Sequence, residues 1–476
     1  MRRIWAVAKH MIAEGVRKKI AISLLVVLVL VLPLLPFVAS GDGTLRGRVQ
    51  ASMMYMLWVV SLILSLLTIF IACGSLTGEI TSKQIHHIVT KPIPRWQFLF
   101  GKWLGIAVLD GVLLLVCGLL MYGMVRLYLQ NGTEGHAGDR DRLLHEVLTA
   151  RHARSPIDPT DRINKAVKAE FEDMRERGNL PDPDKMSAAQ VMNEIRVRKE
   201  REEITIPPLM AKRYQFDGLE FVDRSADQKI YIRFQVRVGR VPPNEVLHSF
   251  WIVGDPVEGG TAYPFDRTDR PDLPHEIEVP ADAVTPEGTL TVLFNNINRV
   301  SNDPDAIINA TFPTTVTFEG DDALQVLYRV GSFEGNLSRT LGMMYCRLIF
   351  LAGLGLFSAT FLSFPVACMM SMMIFTTAAG ASWFLDALDT TGIVGAELDP
   401  TGGALARFFR WLAWAFLKTI PNFSAYNAIP TLVDGRVVTL VWLLQAFGSM
   451  VVFKSAVIGA LACVIFQRRE IAEVII

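Results

Sequence analysis

Three ionisable side chains lie inside long apolar stretches of the sequence: Asp110, Arg347 and Lys454. An ionised group in hydrocarbon is costly, so each is expected to face protein or a wet cavity and to be paired. At a helical rise of about 1.5 Å per residue, Asp110 and Lys454 differ in depth by only about 6 Å, which predicts that these two residues pair. Each of the three residues is compatible with two roles, in the lining of a substrate path or in a structural ion pair.

Enzyme motifs are matched only in part. Lys102 follows Gly101, but no glycine stands five positions before Gly101 and neither Ser nor Thr follows Lys102. The phosphate loop G-x-x-x-x-G-K-[ST] is therefore absent. His145-Glu146 and His275-Glu276 both lack the second histidine of the zinc motif H-E-x-x-H. The sequence therefore predicts that this chain does not hydrolyse ATP by itself, and it indicates no cofactor and no metal site.

The elements that must position these residues are membrane spans. Six stretches have about 20 or more mainly apolar residues, which is the length that a helix needs to cross the hydrocarbon. They are residues 20–39, 52–76, 103–128, 341–363, 365–386 and 440–466. The first could instead be a cleaved signal peptide, but its apolar core is longer than the 7–15 residues that such peptides use. We predict six transmembrane helices.

Charge predicts which side of the membrane each connection occupies. Residues 129–340 hold 36 of the 47 acidic and 26 of the 47 basic residues, which leaves 11 acidic and 21 basic residues elsewhere. Lys and Arg crowd residues 1–19, 77–102 and 467–476, as expected for cytoplasmic segments. We therefore expect both termini in the cytoplasm, with residues 1–19 as an amphipathic helix on the inner lipid surface, and residues 129–340 outside.

The insert at 129–340 divides near residue 205. Residues 139–204 are densely charged with helical spacing, whereas residues 211–330 contain short runs in which apolar and polar residues alternate. Ile230, Ile232 and Phe234 exemplify the alternation. Such strands, separated by Pro, Gly and Asp turns, predict an antiparallel β-sandwich. The predicted fold class is thus an α-helical integral membrane protein with an inserted extracytoplasmic α+β domain.

A further apolar helix is predicted at 404–420. It contains the cations Arg407, Arg410 and Lys418, which make spanning costly but suit an interface. An additional span would also place the basic carboxyl end outside. We therefore predict an interfacial or re-entrant helix on the outer face.

The connector between the second and third spans, residues 77–102, has the features of a docking surface. Its apolar residues, Ile85 among them, form a stripe that water does not favour, and Pro92 precedes a new helix start. The basic rim includes Arg95. An ordinary basic loop, cytoplasmic by topology alone, is the alternative.

With an acidic residue just after the second span and the Thr90-Lys-Pro-Ile-Pro-Arg-Trp-Gln-Phe-Leu-Phe-Gly-Lys102 opening of the third, the chain resembles type-2 ABC exporter permeases. The match falls on Glu79, Pro92, Arg95 and Lys102, although Lys83-Gln84 stands where the family often has Gly-Thr. The resemblance implies that this segment is a coupling helix that docks, with Ile85 in its apolar stripe, on a separate ABC ATPase subunit, which binds the ATP.

The predicted function is the permease subunit of an ABC transporter, in export, as a homodimer or a paired permease in a bacterial inner membrane. A non-transporting membrane anchor or mechanotransmission subunit, whose external domain binds an envelope ligand or protein, is the alternative. The sequence names no substrate and indicates no nucleic-acid partner. Substrate-stimulated ATPase activity in liposomes would distinguish the two functions.

Overall fold

A computed structural model gives the fold of the chain. It describes residues 2–17, 20–35, 45–81, 94–131, 140, 143–180, 186–225, 228–298, 312–320, 322–390, 411–412, 414 and 420–468. These residues form two compact units. The helical unit comprises residues 1–150 and 331–476, and the β-rich unit comprises Arg151–Val330. The second unit is shorter than the predicted insert at 129–340, because the stretch up to Ala150 and the residues from Gly331 onward belong to the helical unit.

The longest helices follow from long runs of Leu, Val, Met and Ala, whereas shorter ones are rich in charged residues. In chain order they are α1 (Arg2–Arg17), α2 (Ile20–Val31), α3 (Leu45–Thr81), α4 (Arg95–Asn131), α5 (Thr160–Glu176), α6 (Ala188–Ile204), α7 (Phe333–Ala359), α8 (Phe364–Ala379), α9 (Ala381–Thr390), α10 (Ile429–Val433), α11 (Leu440–Ala446) and α12 (Ser455–Arg468). A π-helical stretch, Phe447–Lys454, joins α11 to α12, so that Leu440–Arg468 runs as one helix.

Four described helices are long and apolar enough to cross a membrane: α3, α4 as far as Gln130, α7 and Leu440–Arg468. They correspond to the predicted spans at 52–76, 103–128, 341–363 and 440–466. The predicted span at 365–386 is divided by Gly380 into α8 and α9, and α8 has 16 residues. Of the predicted span at 20–39, the described helix covers Ile20–Val31. The count of six spans therefore stays a prediction.

Helix α7 is the central element of the helical unit, since it packs against α3, α4, α8 and α12. It approaches α3 closely at Gly355, where an added Cβ would lie 2.6 Å from the Cβ of Ala72. Helix α1 approaches α4 in a similar way, because added Cβ atoms would meet Val7 at Gly101 and Met11 at Gly105, at 2.7 and 2.8 Å. Small residues at these crossings allow the backbones to come close together.

The strands that the structure describes belong mainly to the β-rich unit. They are β1 (Thr149–Arg154), β2 (Thr205–Ile206), β3 (Ala211–Phe216), β4 (Lys229–Phe234), β5 (Arg237–Val238), β6 (Leu247–Val253), β7 (Tyr263–Asp269), β8 (His275–Pro280), β9 (Leu290–Asn295), β10 (Val316–Thr317) and β11 (Leu324–Ser332). Their orders are β1-β11-β4-β8, β2-β10-β5 and β3-β9-β6-β7. The pairs β4/β8, β4/β11, β3/β9, β6/β7 and β6/β9 are antiparallel.

Inward side chains of both four-stranded sheets share one core. Its centre is Trp251, which is fully buried with its ring centroid 4.6 Å from Phe234 and 4.8 Å from Phe294. The indole N–H donates to the Ser249 hydroxyl at 2.9 Å, so the polar edge of the ring is satisfied. A core shared by two sheets is what the predicted sandwich requires, and the sandwich class itself stays a prediction.

The region predicted as helical, 139–204, is only partly so. Helices α5 and α6 pack through Ile163, Val167, Val191 and Ile195, but β1 also lies in this region and pairs with β11. The charged sequence of β1 does not indicate a buried strand. Three of its residues, including Arg151, are nevertheless buried. Most of the predicted helix at 404–420 and of the tail at 467–476 lies outside the described residues.

Candidate functional site

The two helices that flank the predicted coupling segment are joined by a buried ion pair. Lys102 Nζ on α4 lies 2.9 Å from Glu79 Oε1 near the end of α3, and the two side chains are 2% and 6% exposed. Lys102 also donates to the Ser75 carbonyl at 2.9 Å and lies 5.2 Å from the centroid of the Phe98 ring. Helical geometry places Ser75 and Glu79 one turn apart, so both face the same ammonium group.

Arg95 fixes the other border of the segment. From the first turn of α4 its Nη1 donates to the carbonyls of Phe466 and Gln467, at 2.5 and 3.0 Å. These carbonyls belong to the last turn of α12, where helical acceptors have no partner in the helix and the dipole favours a cation. Phe98 and Phe466 stack beside this contact with ring centroids 6.4 Å apart.

The structure thus pairs two of the five predicted coupling residues, Glu79 and Lys102, and describes a third, Arg95, bound to another helix. Glu79, Arg95 and Lys102 lie at the helix ends that border residues 82–93. Ile85 and Pro92 lie outside the described residues, so their placement and the predicted coupling helix remain predictions. What the structure adds is that both borders of the segment are anchored by charge.

The three predicted intramembrane charges do not pair with one another. Asp110 is fully buried, with Oδ2 2.9 Å from the Thr68 hydroxyl. Lys454 donates to the Ile420 carbonyl at 3.0 Å. The expected pair of Asp110 and Lys454 is therefore wrong in the described part of the chain, because the ammonium group is satisfied by a backbone acceptor of another segment.

Arg347 has neutral partners as well. Its Nη1 donates to the Ser61 hydroxyl at 2.9 Å, and its guanidinium carbon lies 5.1 Å from the centre of the Phe423 ring. This arrangement links α7 to α3. The depth argument failed for Lys454 because it sought an acidic partner, whereas hydroxyls, carbonyls and aromatic rings also stabilise cations.

Sequence reasoning missed the polar contacts that hold the other end of the helical unit. Asn336, fully buried in α7, donates to the Arg436 carbonyl and accepts from the Val438 amide, both at 2.7 Å. Arg46 at the start of α3 forms an ion pair with Glu146. No motif marks these residues, and the only signal was a polar side chain on a buried helix face.

Two further features of the helical unit are a cluster of potential metal ligands and a cavity. His10, Glu14 and Glu79 offer donor atoms within 4.8 Å of one another, a group that could hold a metal ion. Glu79 is already neutralised by Lys102, and a bound cation would compete with that ammonium group. A cavity of about 770 Å³, lined mainly by apolar residues of α1 and α3 and by Phe364, lies nearby.

Long apolar helices, interrupted in the sequence by a β-rich unit, indicate a membrane protein. Residues 5–141, which extend from α1 through α4, match the family model of the ABC-2 family transporter proteins. This match confirms the resemblance to type-2 ABC transporter permeases. No curated protein and no solved structure matches the chain.

Proposed function

We propose that this chain is the permease subunit of an ABC exporter, and that a separate ATPase subunit drives it through residues 77–102. The observation that carries the proposal is the Glu79–Lys102 pair. It joins the two helices on either side of the segment, so a force on the segment acts on α3 and α4 together. The same helices lie within the matched ABC-2 region.

The anchored borders suggest how movement would reach the membrane core. Arg95 ties the start of α4 to the end of α12, and α7 packs against α3, α4 and α12. A push on the segment would therefore tilt several spans rather than bend one connection. Two copies of the permease, or two paired permeases, would then open and close a path at their interface.

The experiment is affinity purification of the full chain from its native membranes. We expect an ATP-binding subunit to co-purify with the wild type and to be lost with Ile85→Asp, because an unpaired charge buried in an interface typically costs several kcal/mol. Val257→Asp is the matched control, since Val257 is 94% exposed in the β-rich unit. Retention of the subunit by Ile85→Asp would remove the coupling role from the segment.

One observation favours the alternative function, an anchor whose β-rich unit binds an envelope ligand or protein. Two exposed apolar side chains, Phe221 and Val257, lie on turns joined by Arg224, which donates to the carbonyls of Val284 and Gly259. Exposed apolar residues grouped on one surface mark interaction sites. If the unit is a receptor, Phe221→Ser should abolish crosslinking to an envelope partner while the ATPase still co-purifies. ATP-driven transport by that variant at the wild-type rate would favour the exporter.

A further inference from the structure

The contact between Asp110 and Thr68 lies in the interface of α3 and α4, the two helices that border the coupling segment. Both residues are completely buried. The Thr68 hydroxyl oxygen has two polar neighbours, the Leu64 carbonyl oxygen at 2.7 Å and Asp110 Oδ2 at 2.9 Å. Within the described residues, Asp110 Oδ1 has no hydrogen-bond partner.

Counting protons assigns the donors in this group. A hydroxyl carries a single proton, and a backbone carbonyl can only accept. The shorter contact is the one from Thr68 back to Leu64, a bond that threonine commonly forms within a helix. If Thr68 gives its proton to Leu64, the contact between Thr68 and Asp110 needs a proton from the carboxyl group.

Among the described residues, no cationic side chain forms an ion pair or hydrogen bond with Asp110 that would stabilise an ionised form. Three cations within the long helices have other partners: Lys102 pairs with Glu79, Arg347 donates to the Ser61 hydroxyl and Lys454 donates to the Ile420 carbonyl. From α7, the titratable group facing Asp110 is Tyr345, whose hydroxyl donates to the Ala107 carbonyl at 3.0 Å. An isolated carboxylate in such a place would be very costly.

We infer that Asp110 is a proton-binding site: it is held as a neutral carboxylic acid whose Oδ2–H donates to Thr68. The chain of bonds then runs from Asp110 on α4 through Thr68 to the Leu64 carbonyl on α3. Separation of the two helices would admit water, the Oδ2–H bond would break and the proton would pass to that water. Proton binding therefore favours the state in which α3 and α4 are in contact.

Infrared spectroscopy of the full chain in detergent tests the proton directly. At about pH 7.5 the difference between wild type and Asp110→Asn should contain the carbonyl band of a protonated carboxyl group, and this band should shift in D2O. Asp158→Asn is the control, because hydrogen bonds from Thr160 lower the pKa of that exposed carboxyl. Its difference spectrum should contain carboxylate bands. Carboxylate bands for Asp110, whether with or without added sodium ions, would overturn the inference.

Two further measurements keep the test decisive if Asp110→Asn folds poorly. Thr68→Val retains the acid but removes its acceptor, so the carboxyl band should persist at a shifted frequency. In thermal unfolding, the folded wild type holds a proton that the unfolded chain releases, so rising pH should favour unfolding. Relative to Asp110→Asn, the wild-type unfolding constant should rise up to about tenfold per pH unit between about pH 5 and 8. A ratio that does not change with pH would contradict a bound proton.

Discussion

Arg95 and Phe466 connect the start of one span to the end of another, because the guanidinium group of Arg95 donates to the Phe466 carbonyl at 2.5 Å. The guanidinium carbon also lies 5.6 Å from the centroid of the Phe466 ring. One side chain thus uses both the backbone and the ring of its partner. The coupling segment therefore ends at a point that is fixed to the carboxyl-terminal helix.

Replacement of Arg95 by Met should release the last turn of α12. We expect a loss of about 1–3 kcal/mol in the free energy of unfolding, since charge-assisted hydrogen bonds to backbone carbonyls are removed. Limited proteolysis should cleave the carboxyl end faster in this variant. Arg177→Met, at a 68% exposed side chain, is the control and should change stability by less than about 1 kcal/mol. Equal proteolysis of Arg95→Met and wild type would refute the anchoring role.

The buried pair of Glu79 and Lys102 should show strong coupling in a double-mutant cycle. Lys102→Met alone leaves a buried carboxylate without its partner and should cost about 3–5 kcal/mol. Adding Glu79→Gln should recover much of that loss, because the uncompensated charge is then absent. Thermal unfolding in detergent measures all three variants. Simple additivity of the single losses would mean that the pair does not exist in the folded protein.

Replacement of two glycines by alanine should change the free energy of unfolding in opposite directions. Gly355→Ala should destabilise the protein by about 1–3 kcal/mol, because the new methyl group would meet Ala72 across the crossing of α3 and α7. Gly459→Ala, where a Cβ meets nothing within 4 Å, should instead stabilise α12 by about 0.5–1 kcal/mol through helix propensity. The unfolding temperatures of both variants provide the comparison. A stable Gly355→Ala variant would show that the crossing is looser than described.

His152 should make the β-rich unit sensitive to acid. Burial, and then the charge of Arg154, lower the pKa of His152 below its ordinary value of 6.5, and its ring stacks on Tyr328. The folded state therefore binds this proton less readily than the unfolded state. Its contribution to stability is present above about pH 6.5 and is lost as the pH falls. In His152→Gln the loss of stability between about pH 7 and 5 should be smaller, as followed by unfolding at each pH.

The predicted topology places the β-rich unit outside the cell. Ser225→Cys introduces a thiol at an exposed position of that unit, and an impermeant thiol reagent should label it in intact spheroplasts. Four of the five natural cysteines, Cys73, Cys117, Cys346 and Cys368, are buried and Cys463 is half-buried, so the wild type is the background control. Labelling that appears only after lysis would reverse the assignment of sides.

The sequence predicted the parts of the fold that depend on periodicity. Runs such as that around Ile232 predicted β4 correctly, and four long apolar stretches became helices of spanning length. It failed at β1, where Arg151 is buried through its pair with Glu276 on β8, a contact between residues far apart in the sequence. It also failed for Lys454, whose acceptor is a backbone carbonyl and so carries no residue type to detect.

The candidate site shows the same division. The resemblance to the exporter permeases names Glu79, Arg95 and Lys102 because its motif lies within a short segment, and their coupling role stays a prediction. The partners that fix them, Ser75, Phe98 and Phe466, could not be predicted in the same way. Packing of one span against another selects those partners, and only the folded chain contains that information.

The π-helical stretch Phe447–Lys454 has a consequence for the final span. A π turn accommodates one additional residue, so the side chains after it are rotated relative to those before it. Leu443, before the stretch, lies beside Gly342 of α7, and Ser455, after it, lies beside Gly353 of the same helix. Both halves therefore face α7. Without the extra residue the two halves would be out of phase, and deletion of one residue there would turn either α11 or α12 away from its partner.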